Sequence, residues 1–201
     1  MVVIIDYGMG NIASVQKALD FLNIKHFVSN DKKKIAQADF ILLPGVGSFL
    51  QGMTNLRKDG LDQFLSEQVL INKKKFIGIC LGMQLISEAS EEPYDNPGLG
   101  WIKGKVKKIT DSHQRVPHMG WNNIEILKND YFDESDKAKD FYFIHSYHFD
   151  VDSPSEIAAT VEYETKMVAA VQSGNIFATQ FHPEKSQTAG LELLKKYFQN
   201  A

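Results

Sequence analysis

Short apolar runs alternate with segments of helical periodicity through the first 80 residues of this 201-residue chain. The runs, at residues 2–6, 26–28, 40–43 and 76–79, carry mostly apolar side chains at consecutive positions. Continuous runs of this kind are typical of parallel strands that are buried on both faces, and the intervening helices supply that cover. We therefore predict an α/β fold of three layers, in which a mostly parallel central sheet is flanked by helices.

The second half of the chain has a different pattern. In the first half, helices are predicted after residue 11 and over residues 61–71. In the second half, after a Pro- and Gly-rich loop at residues 91–100, strand patterns dominate. A hairpin at Ser173-Gly174 and a final helix over residues 189–198 complete the prediction of an additional antiparallel β region. Its predicted strands lie at residues 105–109, 121–126, 141–145, 157–161, 168–171 and 176–181.

Composition and charge exclude several classes of protein. Hydrophobic residues make up 43% of the chain and charged residues 23%, which suits one globular domain over residues 1–201 and argues against disorder or membrane insertion. The net charge of −3 gives no electrostatic reason to expect a nucleic-acid partner. One cysteine rules out an intrachain disulfide, and the six histidines show no metal-binding spacing. We expect a cytoplasmic protein with no metal or cofactor.

Cys80, the single cysteine, stands where a predicted strand ends and a helical pattern begins, within Gly78-x-Cys80-x-Gly82. A strand-turn-helix elbow of this kind lifts a nucleophile into a cleft, and the flanking glycines are expected to permit the tight turn. A lone cysteine after an apolar run is by default a small buried residue. The glycines, the abrupt change of pattern and a separate His-Pro-Glu unit at residues 182–184 favour catalysis over that default.

His182 and Glu184 supply the base and the acid that a cysteine nucleophile requires. Because side chains at i and i+2 of an extended segment point to one face, we predict that imidazole and carboxylate meet. His182 would take the thiol proton, and Glu184 would orient the ring. The backbone N–H groups of Leu81 and of Val46, in a glycine-rich loop, are the expected oxyanion donors. Together these groups predict acyl-transfer chemistry.

Residues 78–84 (Gly-Ile-Cys-Leu-Gly-Met-Gln) and 182–184 resemble the class I glutamine amidotransferases, whose glutaminase domain is flavodoxin-like and uses a Cys-His-Glu triad. Further segments, which span the chain from end to end, narrow the resemblance to the glutaminase subunits of imidazole glycerol phosphate synthases. Those segments lie at residues 6–11, 43–47, 117–122, 143–147 and 180–186.

This resemblance implies that Cys80 attacks the side-chain carboxamide of L-glutamine, that ammonia leaves, and that water hydrolyses the glutamyl thioester. It also implies that ammonia passes to a heterodimer partner, a cyclase subunit with a β/α-barrel fold, in histidine biosynthesis. The implied substrate-binding positions are Gly45, Gly47, Gln84, His145, Ser146 and Tyr147. The interface candidates are Met119, Trp121, Asn122 and Lys185.

The sequence leaves other readings open. The same chemistry could feed a different acceptor, such as a sugar-modifying enzyme, or serve a stand-alone γ-glutamyl or peptide hydrolase. A non-catalytic binding module is disfavoured because the full triad is present. His145 could instead be a structural histidine packed between aromatic strands, and Trp121 could be a core residue of its strand.

Overall fold

A computed structural model describes residues 1–110, 115–133, 136 and 139–200 of the protein. Within those ranges the helices are α1 (Ile12–Phe21), α2 (Lys32–Ala36), α3 (Phe49–Lys58), α4 (Leu61–Ser66), α5 (Leu81–Leu85) and α6 (Gln187–Asn200). The strands there are β1 (Val2–Ile5), β2 (His26–Ser29), β3 (Phe40–Gly45), β4 (Lys75–Cys80), β5 (Ala89–Ser90), β6 (Asn96–Pro97), β7 (Gly104–Lys108), β8 (His118–Asn123), β9 (Glu125–Ile126), β10 (Asp140–His145), β11 (Tyr147–Val151), β12 (Ile157–Tyr163), β13 (Thr165–Ser173) and β14 (Ile176–Thr179).

The largest sheet among the described residues has eight strands, in the order β2-β1-β3-β4-β14-β13-β12-β9. The first five strands run parallel to one another, and the last three extend the sheet with antiparallel pairings. The same part of the chain also forms a two-stranded sheet, β10-β8, and a four-stranded sheet, β11-β7-β5-β6. The predicted parallel sheet with an added antiparallel region is therefore confirmed.

Alternate residues of β1 show how the layers are built. Val2 and Ile4 pack into a core shared with residues of α1 and α6, whereas Val3 and Ile5 pack into a core shared with α3, α4 and α5. All four are almost completely buried. Helices therefore cover both faces of the sheet, as the continuous apolar runs predicted.

Several boundaries differ from the sequence prediction. The strand expected over residues 176–181 ends at Thr179, and the chain then enters a 3₁₀ turn at Pro183–Lys185. The helix expected over residues 61–71 is α-helical only to Ser66 and continues as a π-helix, Glu67–Ile71. Strand β11 was not predicted, although its short sequence alternates polar and apolar side chains as a half-buried strand does. It pairs with β7.

Candidate active site

Cys80 ends β4 and forms the N-cap of α5, with φ of 54° and ψ of −107°. The elbow predicted from the sequence is present, but the left-handed φ belongs to the cysteine and not to its flanking glycines. Those glycines serve close packing instead. A Cβ on Gly82 would lie 1.9 Å from the backbone oxygen of Leu43, and one on Gly78 would lie 2.9 Å from the carbonyl of Gly82. The glycines therefore permit the tight turn by leaving room for close packing across it, and not by adopting a positive φ.

A positive φ at a residue with a Cβ stores strain of about 1–3 kcal/mol. We therefore expect Cys80→Gly to be more stable than Cys80→Ala by about 1 kcal/mol, because both lose the thiol but only glycine relieves the strain. Urea unfolding of the two variants measures the difference. Equal stability, or a more stable alanine variant, would show that the elbow is not strained.

His182 and Glu184 form the predicted base–acid pair. The His182 Nδ1 atom lies 2.7 Å from Glu184 Oε1, and each side chain is 2% exposed. The contact forms across the 3₁₀ turn at Pro183–Lys185 and not along an extended strand. The pairing of these groups was thus anticipated for the wrong geometric reason, since i and i+2 side chains meet here through the turn.

The pKa of His182 is set by opposing effects. Burial alone would lower it, but the Cys80 sulfur and the Glu184 carboxylate favour the charged ring and raise the pKa to about 10. The Nε2 atom makes no well-aligned hydrogen bond within the described residues, so the sulfur acts on it mainly through charge. At neutral pH the ring is therefore protonated and ready to donate to a leaving group.

A cavity of about 310 Å³ joins the groups that the sequence singled out. Cys80 and His182 lie in its wall, whereas the Glu184 carboxylate contacts His182 Nδ1 and, like Gly45, is not part of the lining. The full lining is Val46, Gly47, Cys80, Leu81, Gln84, Glu92, Pro117, Ile144, His145, Ser146, Tyr147, His182 and Lys185.

The glycine-rich loop after β3 lies next to the nucleophile. Gly45 pairs with Cys80 in the register of β3 and β4, and a Cβ on Gly45 would lie 2.5 Å from the Tyr7 hydroxyl oxygen. Val46 is 39% exposed, and Gly47 has φ of +104°. Leu81 is the first residue of α5, so its N–H has no partner inside the helix. Two backbone segments thus border the sulfur where an oxyanion would form.

The opposite wall is held by one backbone carbonyl. The carbonyl oxygen of Tyr147 accepts a hydrogen bond from Gln84 Nε2 at 2.9 Å and another from His145 Nδ1 at 2.9 Å. Ser146 and Tyr147 face the cavity between these anchors. The chain at the end of β10 is therefore fixed in place, which presents its polar groups to a bound molecule.

His145 both lines the cavity and belongs to a buried histidine pair. Since its Nδ1 donates to a carbonyl, its Nε2 must accept, and His118 Nδ1 donates to it at 3.0 Å. The His118 ring stacks between Phe143 and Tyr163, with centroids 4.7 and 4.0 Å away. Burial lowers the pKa of His145 to about 3 and that of His118 to about 4, so both rings are neutral.

Comparison with known proteins identifies the family. The family model described as "Glutamine amidotransferase class-I" matches residues 3–201. The chain belongs to the class-I glutamine amidotransferase family. Its relatives include "Imidazole glycerol phosphate synthase subunit HisH 1" of Campylobacter jejuni, 46% identical over 200 residues and 98% of each chain. Another is "Imidazole glycerol phosphate synthase subunit HisH 2" of Methanococcus maripaludis, 40% identical over 203 residues and all of each chain.

Solved structures of similar fold include a glutamine amidotransferase that superposes on the chain with a TM-score of 0.76 at 18% identity. That superposition covers 100% of this chain and 98% of the other. The three-layer architecture is thus the fold of the family, as the sequence resemblance implied. In the described residues of this amidotransferase, no cluster of three metal-ligating side chains occurs and no helix is long and apolar enough to cross a membrane.

Sequence reasoning missed three residues of this amidotransferase site. His118 is described above, and Gln180 is completely buried beside the nucleophile. Glu92 lines the cavity from a segment that was predicted only as a loop, and its Oε2 accepts from the Phe49 backbone N–H at 3.0 Å. An acidic residue in a loop gives no sequence signal of such a contact. Gln180, in contrast, is the first residue of the segment 180–186 that carries the family resemblance, and that segment could have pointed to it.

Three of the interface candidates lie on strand β8, and Lys185 lies in the 3₁₀ turn after β14. Met119 and Trp121 are 59% and 46% exposed, so Trp121 is not a core residue. The Tyr142 ring lies 5.8 Å from the Trp121 ring and 5.8 Å from the Lys185 ammonium group. The Asn122 Nδ2 atom donates to a backbone carbonyl of β12 at 2.9 Å.

Proposed function

We propose that this chain hydrolyses L-glutamine to glutamate and ammonia, as the glutaminase subunit of an imidazole glycerol phosphate synthase in histidine biosynthesis. The observation that carries the proposal is the convergence of Cys80 with the His182–Glu184 pair in one cavity. The names of its relatives supply the acceptor reaction. Residues 1–201 act as a single domain in the cytoplasm.

Hydrolysis begins when His182 has taken the proton of the Cys80 thiol and the sulfur attacks the carboxamide carbon, so that a C–S bond forms. The carbonyl oxygen becomes an oxyanion, which the backbone N–H groups of Val46 and Leu81 stabilise. Protonated His182 gives its Nε2 proton to the amide nitrogen, the C–N bond breaks, and ammonia leaves. Water, deprotonated by His182, then cleaves the glutamyl thioester and restores the thiol.

Glutamine also carries an α-ammonium and an α-carboxylate, which the rest of the cavity is suited to bind. The Glu92 carboxylate offers an acceptor for the ammonium group. Ser146 and Gly47 offer polar groups for the carboxylate, and Tyr147 borders the same space. The side chain would thus extend towards Cys80 with both charged ends held at the rim.

The ammonia acceptor is a cyclase subunit that binds beside the cavity mouth. Met119 and Trp121 are exposed on β8, where Met119 pairs with the cavity-lining residue Ile144 of β10, and Lys185 lines the cavity itself. Exposed Met and Trp side chains beside a site are typical of interface anchors. A partner at this face would cover the mouth and keep ammonia from solvent.

The function is tested by assaying glutamate and imidazole glycerol phosphate together. The purified chain is mixed with the cyclase subunit of the same organism, glutamine and the phosphorylated ribulosyl-aminoimidazole substrate. We expect the two products in equal amounts, and covalent labelling of Cys80 by a glutamine analogue with an electrophilic γ-carbon. Faster cleavage of γ-glutamyl peptides than of glutamine by the isolated chain, or an unlabelled Cys80 in the complex, would contradict the proposal.

A further inference from the structure

Gln180 touches the sulfur of Cys80 from inside the protein. Its side chain is 0% exposed, and its Nε2 atom lies 3.6 Å from Cys80 Sγ, within the range of an N–H···S hydrogen bond. It stands directly after β14, two residues before His182. Gln180 and His182, two positions apart, are therefore the side chains of this segment that interact with Cys80. Glu184 contacts His182 and affects the sulfur through that ring.

The orientation of the Gln180 amide follows from its partners. The carbonyl oxygen of Tyr147 can only accept, so the Gln84 atom 2.9 Å away must be the amide nitrogen. That nitrogen also lies 3.0 Å from the Gln180 side chain, which must therefore present its oxygen to Gln84. The Gln180 nitrogen is left to face the sulfur. A chain of two amides thus fixes an N–H donor on the nucleophile.

We propose that Gln180 is a further catalytic residue, whose side-chain amide donates to the Cys80 sulfur and stabilises it as a thiolate for attack on the substrate. An N–H donor favours a negatively charged acceptor over a neutral one, and the effect is strong where water is excluded. The proposal rests on the proposed role of Cys80 as nucleophile, but it concerns the ionisation of the sulfur before substrate binds.

The other groups around the sulfur leave a role for this donor. Protonated His182 favours the thiolate, and Tyr7, whose pKa is raised by burial and by Cys80, stays a neutral phenol. The carbonyl of Ile144 favours the thiol form, since an S–H could donate to it, but that contact is 3.9 Å long. Gln180 is thus an uncharged donor that favours the thiolate, whereas the Ile144 carbonyl favours the thiol, and the Gln180 nitrogen is the closer of the two to the sulfur.

The pH dependence of Cys80 alkylation by iodoacetamide tests the proposal. Cys80 is the one thiol of the chain, so no other sulfur contributes to the signal. Gln180→Met keeps the length and burial of the side chain but removes the donor, and Gln180→Glu replaces it with a carboxylate oxygen. We expect the midpoint of the alkylation profile to move up by about one pH unit in the first variant and further in the second.

Two further variants complete the experiment. Gln84→Met releases the Gln180 amide to rotate, so we expect a smaller upward shift of the midpoint. Gln172→Met, in β13 and outside the cavity, should leave the profile unchanged. Circular dichroism verifies folding, and Gln84→Met decides the matter if both Gln180 variants fail to fold.

An unchanged midpoint in folded Gln180→Met, or in Gln84→Met where that variant decides, would overturn the proposal and leave Gln180 a structural residue. Glutamine is absent from the assay, so the result is independent of the reaction that the enzyme performs. If the Gln180→Met midpoint shifts but the wild-type chain has no glutaminase activity, only the proposed function is contradicted. If the wild-type chain is active but the Gln180→Met midpoint does not shift, only this inference is contradicted.

Discussion

Replacement of Cys80 by alanine should reduce glutamine-dependent formation of imidazole glycerol phosphate by a factor of about 10⁴ or more. Cys80 carries the single thiol of the chain, and it lies in the cavity wall together with His182, Val46 and Gly47. Water would have to attack the carboxamide directly, without the thioester that divides the reaction into two easier steps. Steady-state assays of the reconstituted complex measure the loss.

The same assay contains its own control. Ammonium salts bypass the glutaminase, so the Cys80→Ala complex should make product from ammonium at the wild-type rate. Loss of both activities would place the effect in folding or in partner binding instead of in catalysis. Glutamine-dependent synthesis that survives the substitution would mean that another residue is the nucleophile.

The fold was predictable because its strongest signals are local. Residues 2–6 and 40–43 are apolar at every or nearly every position, which a strand exposed on one face cannot be, so the buried parallel sheet followed from them. Strand β11 gave a weaker signal, an alternation of polar and apolar side chains over only five residues. Its alternating residues, including His148 and Asp150, take their conformation from pairing with β7, and that pairing depends on a partner distant in sequence.

The site was predictable where one motif held the chemistry and not where contacts between distant segments decided it. Cys80, His182 and Glu184 lie in two short motifs, and the structure brings them together. Glu92 reaches the cavity by accepting from a backbone N–H 43 positions earlier in the chain, and His118 reaches it through His145. No periodicity encodes such contacts, because they arise only when the loops pack.

The glycines around Cys80 show a subtler limit. Sequence reasoning assigned them to the conformation of the turn, where glycine is usually required. The structure assigns the unusual φ to Cys80 itself and gives Gly82 to a helix that packs against the backbone of Leu43. A motif can thus be recognised correctly while the physical reason for each of its residues is different.

The buried histidine pair should make the protein strongly sensitive to acid. Below pH 6.5 the unfolded chain binds a proton on His118 and another on His145, but the folded chain does not until the pH nears about 4 and about 3 respectively. The free energy of unfolding must therefore fall as the pH is lowered through this window. Each histidine adds a slope of up to about 1.4 kcal/mol per pH unit, or about 2.7 for the pair.

Urea unfolding at intervals between pH 7 and about pH 4.5 measures this slope above the range in which most carboxylates become protonated. His118→Asn keeps an amide donor where Nδ1 reaches His145, but it removes one titrating group. It should lower the slope by up to about 1.4 kcal/mol per pH unit and leave the contributions of His145 and of His148, whose pKa burial also lowers. Loss of the ring between Phe143 and Tyr163 should lower stability at every pH. The slope, and not the absolute stability, is the diagnostic quantity. A variant with the wild-type slope would mean that His118 is protonated in the folded protein. The description of His118 and His145 as two neutral rings joined by a hydrogen bond would then be wrong.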